Sequence, residues 1–257
     1  MSGVGTAQLR RILAADIGHP IASDGQGEQC ETRGNDRRRR VGAAQTRRVP
    51  IVFARSTTIQ AHPSYIDAGI KHVRDTVMPA LADTEGCLGM SLLVDRDSGR
   101  CIATSSWRDE ESLRASEGPV LKLRDDAAKV FHGTTEVSRW DIAVMHRDHH
   151  SDRGACCRVT WIKTEPAHMD RAVDVWKMAA LPKMEELDGF CSASLMLDHA
   201  AGRGVSSLTF DSAEAMERNR DRIDRIRDEG VREANSEVLD TCEFELAIAH
   251  LHVPEMA

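Results

Sequence analysis

The chain repeats itself. When residues 63–108 are laid on residues 166–211 without a gap, Pro63 meets Pro166, Asp67 meets Asp170, Pro79 meets Pro182 and Gly86 meets Gly189. The match continues through Ser91-Leu92 with Ser194-Leu195, Asp95 with Asp198, and Gly99-Arg100 with Gly202-Arg203. Apolar residues keep the same register: Ile66, Ile70, Val73, Val77 and Leu81 fall on Met169, Val173, Trp176, Ala180 and Met184. Further on, Trp140-Asp-Ile-Ala-Val-Met-His146 falls on Phe244-Glu-Leu-Ala-Ile-Ala-His250, shifted by one more residue. A register kept this long marks a duplicated structural unit. It divides the chain into a segment at 1–50, a first module at 51–146, a linker at 147–154, a second module at 155–252 and a tail at 253–257.

Each copy reads the same way. Ile51–Thr58 and Cys156–Lys163 are β-rich runs. Pro63 and Pro166 suit a first helical position, where a missing N–H costs nothing, and the spacing 66, 70, 73, 77, 81 is a helix face. Pro79 and Pro182 remove a backbone donor and are expected to kink or break the last turn. Gly86 and Gly189 open a strand (Leu88–Asp95, Cys191–Asp198), and a short turn leads into a second strand ending at Trp107 or Phe210. Asp109 or Asp211 is expected to cap a helical stretch, Glu110–His132 or Ser212–Ala234. The first stretch is interrupted at Gly118-Pro119 and the second reads as continuous. Val137–Met145 and Thr241–His250 close the copies as strands.

The order is β-α-β-β-α-β, a ferredoxin-like module in the α+β class. Helices cover one sheet face and leave the other apolar and bare. Two copies can cover those faces mutually, so the tandem predicts a single-chain pseudo-dimer around a barrel-like core, with room for a further homo-oligomer.

Composition narrows the setting. No apolar run approaches the roughly 20 residues that cross a bilayer, and the start lacks a secretory h-region. Seven cysteines without a Cys-x-x-Cys pair read as free thiols in the cytoplasm. Residues 1–50 hold nine Arg against five acidic residues, net +4, so the remainder of the −7 chain carries −11. An acidic body argues against a nucleic-acid surface. The basic run Arg37–Arg40 lies in a segment with no aromatics or apolar periodicity, which predicts a disordered, solvated stretch.

With the element order in place, Met78-Pro-Ala-Leu, Glu85-Gly-Cys-Leu-Gly89 and Thr104-Ser-Ser-Trp107-Arg-Asp-Glu-Glu-Ser112 resemble the antibiotic biosynthesis monooxygenase (ABM) family of the dimeric α+β barrel superfamily. The resemblance covers both modules, although Phe210 stands in the second where the first has Trp107. It implies a small-molecule ligand and, in one branch of the family, oxygenation of quinol-like or polyketide substrates without a cofactor. The heme-degrading branch carries an Asn, a Trp and an axial His where this chain has Arg55, Ala115 and Arg124. The second copy offers Arg158 and Arg218 or Asn219. Heme degradation is therefore disfavoured.

A cofactor-free oxygenase needs a base, a cation or hydrogen-bond donor for the substrate oxyanion, and apolar walls. Arg55 and His132 are the catalytic candidates, and Trp107, Trp140, Arg124, Arg158 and Phe210 the candidate pocket walls. Arg55 and Arg158 are the cations that recur on the first strand at the repeat offset. The alternatives are a locally paired arginine, a helix-end histidine facing water, and tryptophans of the core. The retained Trp107 makes the first module the expected seat of any pocket. A non-catalytic binding or structural protein is the competing reading. The cluster His146-x-x-His149-His150 has no helix-face spacing, and vicinal Cys156 and Cys157 point to opposite strand faces, so no metal is expected.

Overall fold

Strand sequences that alternate between two kinds of neighbour bury both faces. The computed structural model describes residues 52–256; the basic segment read as disordered lies outside the described residues. Eight strands, β1 (Val52–Gln60), β2 (Cys87–Val94), β3 (Arg100–Trp107), β4 (Thr134–Arg147), β5 (Cys156–Lys163), β6 (Phe190–Asp198), β7 (Arg203–Phe210) and β8 (Glu237–Leu251), close into one antiparallel barrel. Going round it, the order is β1-β3-β2-β8-β5-β7-β6-β4.

The two modules are stitched by their last strands. β4 pairs with β1 up to Ile142 opposite Val52, then with β6 out to Arg147 opposite Ser192. β8 does the same, with β5 and then β2. Each shifts register at the crossing, leaving Ala143 and Ala247 unpaired, and these are equivalent in the repeat. An extra residue bends and twists a strand locally, which lets one strand serve two half-barrels. Both closing strands are longer than expected for this reason.

Along β1, Ile59 joins an outer core with Trp107, Phe131 and Val73 under the first module's helices, while Val52 and Ala54 join a lumen core with Trp140, Val159 and Phe244. The second module's outer core gathers Trp176, Phe190, Phe210 and Ile223. The lumen also holds a cavity of about 130 Å³ lined by paired hydroxyls from the two copies: Ser91 with Ser194, Thr104 with Ser207, and Ser106 with Thr209. The tail crosses one barrel end: the Met256 N–H donates to Met145 O at 2.8 Å, and Val253 and Met256 are buried.

Three local expectations are corrected. Of the two outcomes expected at Pro79 and Pro182, the break does not occur: each helix widens into π-helical turns, Val73–Val77 and Trp176–Ala180, before continuing through the proline. The wider turn removes the demand for the missing proline donor and the ring's clash with the preceding turn. The second module's charged stretch is not continuous: it divides into Ala213–Arg218 and Arg220–Glu233, as the first divides into Glu110–Ala115 and Glu117–Val130. Both divisions fall at the same repeat position, Ser116 and Asn219, while Gly118 and Pro119 lie inside the following helix. Asp109 caps its helix by accepting from the Ser112 N–H at 2.8 Å, but in the second copy the cap is Ser212, accepting from Ala215 at 3.2 Å. Gly86 and Gly189 both take a positive φ (79° and 77°), and a Cβ there would collide with Ser112 and Ala215 of these first turns. That close approach requires glycine.

Candidate functional site

Each module encloses a cavity between its sheet and its helices, built from equivalent residues. In the first, Arg55, Thr57, Val73, Ser105, Arg124 and Ala127 line about 50 Å³. In the second, Arg158, Thr160, Trp176, Leu208, Arg227 and Gly230 line about 80 Å³. The wider space belongs to the second module, against the expectation from Trp107. One cause is visible: where the first long helix has Ala127, the second has Gly230, which lines the cavity and at which a Cβ would meet no neighbouring atom within 4 Å.

Each cavity wall contains one buried guanidinium. Arg55 is 2% exposed; its Nη1 donates to Ser116 Oγ at 2.9 Å, and its Nη2 donates to Leu113 O at 2.7 Å and Glu117 Oε2 at 2.9 Å. These partners all stand at the division between the two helices. Burial pulls the Arg55 pKa below its ordinary value, opposed by Glu117. For Glu117, burial alone would raise the pKa, but the Arg139 hydrogen bond and the Arg55 charge hold it below the usual carboxylate range. Arg158 is 7% exposed and pairs with Asp224 and with Glu243, the latter at 3.2 Å. In both copies the guanidinium Nε is buried with no hydrogen-bond partner among the described residues. An unpaired buried donor is costly.

The other sequence candidates divide. Arg124 lines the first cavity beside Arg55. Trp107 is fully buried, with the Arg55 guanidinium 5.7 Å from its ring centre and its Nε1 donating to Ser105 Oγ at 3.1 Å, but it is packed in the core and lines neither cavity. Phe210 likewise is core. Trp140 faces the lumen and donates to Ser56 Oγ at 2.7 Å, on the other side of the sheet from Arg55. His132 is exposed, in left-handed backbone (φ 49°) at the end of its helix, with its ring stacked 3.8 Å from Tyr65. Asn235 takes the same conformation at the matching place (φ 51°). Both terminate a helix, which accounts for His132 without chemistry.

Sequence reasoning missed Trp176, Ser206 and Arg227. Trp176 donates from Nε1 to Ser206 Oγ at 3.1 Å, and Arg227 pairs with Asp224 at 2.8 Å. The signal for Arg227 was present, since the repeat offset carries Arg124 onto it. Among the described residues, no histidine or carboxylate lines either cavity. Burial pushes the Cys101 and Cys157 thiols up to about 11, which makes them poor nucleophiles. Among the described residues no helix is long and apolar enough to cross a membrane.

The family model described as "Antibiotic biosynthesis monooxygenase" matches residues 53–118, from β1 into the helix that begins at Glu117. Over 206 residues the chain is 57% identical to uncharacterized protein Rv2557 of Mycobacterium tuberculosis (strain H37Rv), covering 80% of this chain and 92% of that one. It is 58% identical over 207 residues to uncharacterized protein Rv2558 of the same strain, covering 80% and 88%. A solved structure from Lactobacillus acidophilus NCFM superposes with a TM-score of 0.58 at 11% identity, over 79% of this chain and 97% of that one. An anthrone oxidase-like protein does so with 0.54 at 16% identity, over 76% and 93%. At those identities the structural likeness is one of fold. The chain belongs to the antibiotic biosynthesis monooxygenase family.

Proposed function

We propose that the chain is a cofactor-independent monooxygenase acting on an aromatic or polyketide-like small molecule, with the second module's cavity as its principal site. The observation that carries this reading is the buried Arg158, which lines a predominantly apolar cavity that also contains Trp176 and whose Nε–H has no hydrogen-bond partner among the described residues. Apolar walls favour a planar hydrocarbon frame, and a desolvated guanidinium favours one oxyanion on it. Family membership and the anthrone oxidase-like fold relative support the same chemistry.

The residues also limit how the reaction runs. With no histidine or carboxylate among the lining residues, the substrate proton goes to water, so the substrate must be acidic enough to ionise near neutral pH. Arg158 then holds the oxyanion while the electron-rich ring carbon takes up dioxygen. For an anthrone-type methylene, the resulting hydroperoxide loses water. The carbon thereby exchanges both of its hydrogens for one oxygen atom of dioxygen, as a ketone, and the second oxygen atom leaves with those hydrogens as water.

The missing base equally supports a second reading, in which the cavity binds such a molecule without converting it. Oxygen uptake with hydroxylated anthrones and hydroquinones, run beside tryptophan-fluorescence titrations with the same compounds, separates the two. Uptake above the buffer rate that is lost in Arg158→Lys supports the oxygenase. Saturable quenching without uptake supports the binder, and neither signal overturns both.

A further inference from the structure

Away from both cavities, three side chains from distant parts of the chain converge where the inter-module linker crosses the start of β6. They are His149 of the linker, Cys191 of β6 and Asp211 of the turn after β7. His149 Nε2 lies 2.9 Å from Asp211 Oδ1, Cys191 Sγ lies 3.2 Å from the same oxygen, and the three ligand atoms all fall within 4.8 Å of one another.

The fold fixes this meeting. The backbone N–H groups of Asp148 and His149 both donate to Cys191 O (2.9 and 3.4 Å), and the Asp211 N–H donates to Gly189 O at 2.9 Å. A fourth residue orients the ring: Asp148 Oδ2 sits 2.8 Å from His149 Nδ1. A carboxylate on the far nitrogen of an imidazole selects the tautomer whose other nitrogen is a lone-pair donor, the usual outer partner of a metal-binding histidine.

We propose that His149, Cys191 and Asp211 form a site for one divalent transition-metal ion of the zinc type, with Asp148 as the residue that positions His149. A mixed thiolate, imidazole and carboxylate set suits zinc or cobalt and does not suit magnesium or calcium, which take oxygen ligands. Bonds of about 2.0–2.3 Å to three such ligands need the two short contacts to open by about half an ångström. Binding replaces the proton that the Cys191 thiol now shares with Asp211, and that proton leaves to solvent. Three protein ligands leave a coordination position open. His149, with its neighbours His150 and Ser151, also borders the hydroxyl-lined lumen cavity, so the ion stands at the rim of that space. The first module cannot repeat the site: its matching positions hold Leu88, Arg108 and Val253. The stoichiometry is therefore one ion per chain.

The test uses the full chain stripped with a chelator. Titration with cobalt(II) is expected to give a thiolate-to-cobalt charge-transfer band that saturates at one equivalent, and zinc is expected to displace it. The exposed substitution His149→Gln should weaken cobalt affinity at least tenfold with an unchanged thermal melt, and Asp148→Asn about tenfold. Cys191→Ser should abolish the band, while His150→Gln and Cys157→Ser should retain it. The proposal is overturned if no band forms in the parent chain, if the band survives Cys191→Ser, or if His149→Gln binds as tightly as the parent.

Discussion

Glu117 and Arg139 are ion-paired at 2.8 Å beside Arg55. The same two positions in the second module hold Arg220 and Glu243, paired at 2.8 Å beside Arg158 with the charges exchanged. The central arginine is constant, and the exchanged pair's carboxylate reaches it from the helix in one module and from the closing strand in the other. Either arrangement sets the buried guanidinium beside an exchanged carboxylate–arginine pair, and Arg158 has a second carboxylate, Asp224, where the first module has Leu121. That equivalence predicts a rescue. Glu117→Arg alone places three arginines together and should lower stability by about 1–2 kcal/mol, discounted because the Glu117 side chain is 42% exposed. Adding Arg139→Glu recreates the second module's exchanged pair and should recover more than half of the loss. Urea unfolding midpoints of the two single variants and the double variant measure the coupling; strict additivity would show that the exchanged pair is incidental.

Much of this architecture was legible because its signals are local or periodic. Pro63, Gly86 and Asp109 each announce a turn or helix start through their own backbone chemistry, and the repeat supplied every one of these twice, except that Ser212 took the cap. Other features depend on partners far along the chain. Nothing within β4 states that its second half belongs to β6, and a single unpaired alanine marks the exchange. The helix division at Asn219 carries no glycine or proline; it is held by a side chain that finds carbonyls of Asp188 and Ala215. At the candidate site, the buried Arg55–Arg158 pair was visible through the repeat, but the larger volume beside Arg158 follows from Gly230 on another helix. His132 looked chemical because histidine is versatile, yet its position is that of a left-handed helix end.

Asn219 should therefore carry weight in stability. It is 5% exposed and donates to Asp188 O at 2.9 Å and Ala215 O at 2.8 Å. Asn219→Ala leaves both carbonyls in a site that water reaches poorly and should cost about 1–3 kcal/mol. Asn219→Asp, which supplies acceptors where donors are needed, should cost more. Thermal melts of both variants check the order, and a milder effect for aspartate would count against the proposed bonds.

Acid should loosen the first module's helix start before the second's. The Asp109 carboxylate is held at about 2 by its hydrogen bonds from Ser112, then by Arg108. A folded pKa below the unfolded one means that its contribution is present above about 4 and is lost as pH falls towards 2. Ser212, the equivalent cap, does not titrate. Hydrogen exchange of Ser112 and its helix should quicken between pH 4 and 2 while that of Ala215 follows only global stability. In Asp109→Ala the selective acid effect should vanish.

The two cavities should differ in ligand binding, and the arginines distinguish them. Lysine in place of arginine retains the charge but removes the planar fork and the Nε–H. In the second module, Arg158→Lys keeps a cation near Asp224 and Glu243, so the fold should persist, yet the unpaired donor is gone. Binding of a hydroxylated anthrone, read from tryptophan quenching, should weaken at least tenfold. Arg55→Lys removes the equivalent atom beside the smaller cavity, where Val73 and Ala127 replace Trp176 and Gly230, and should leave the same titration within about twofold of the parent. If Arg55→Lys weakens binding as much as Arg158→Lys, the first module holds the ligand too, and the assignment of the principal site to the second is wrong.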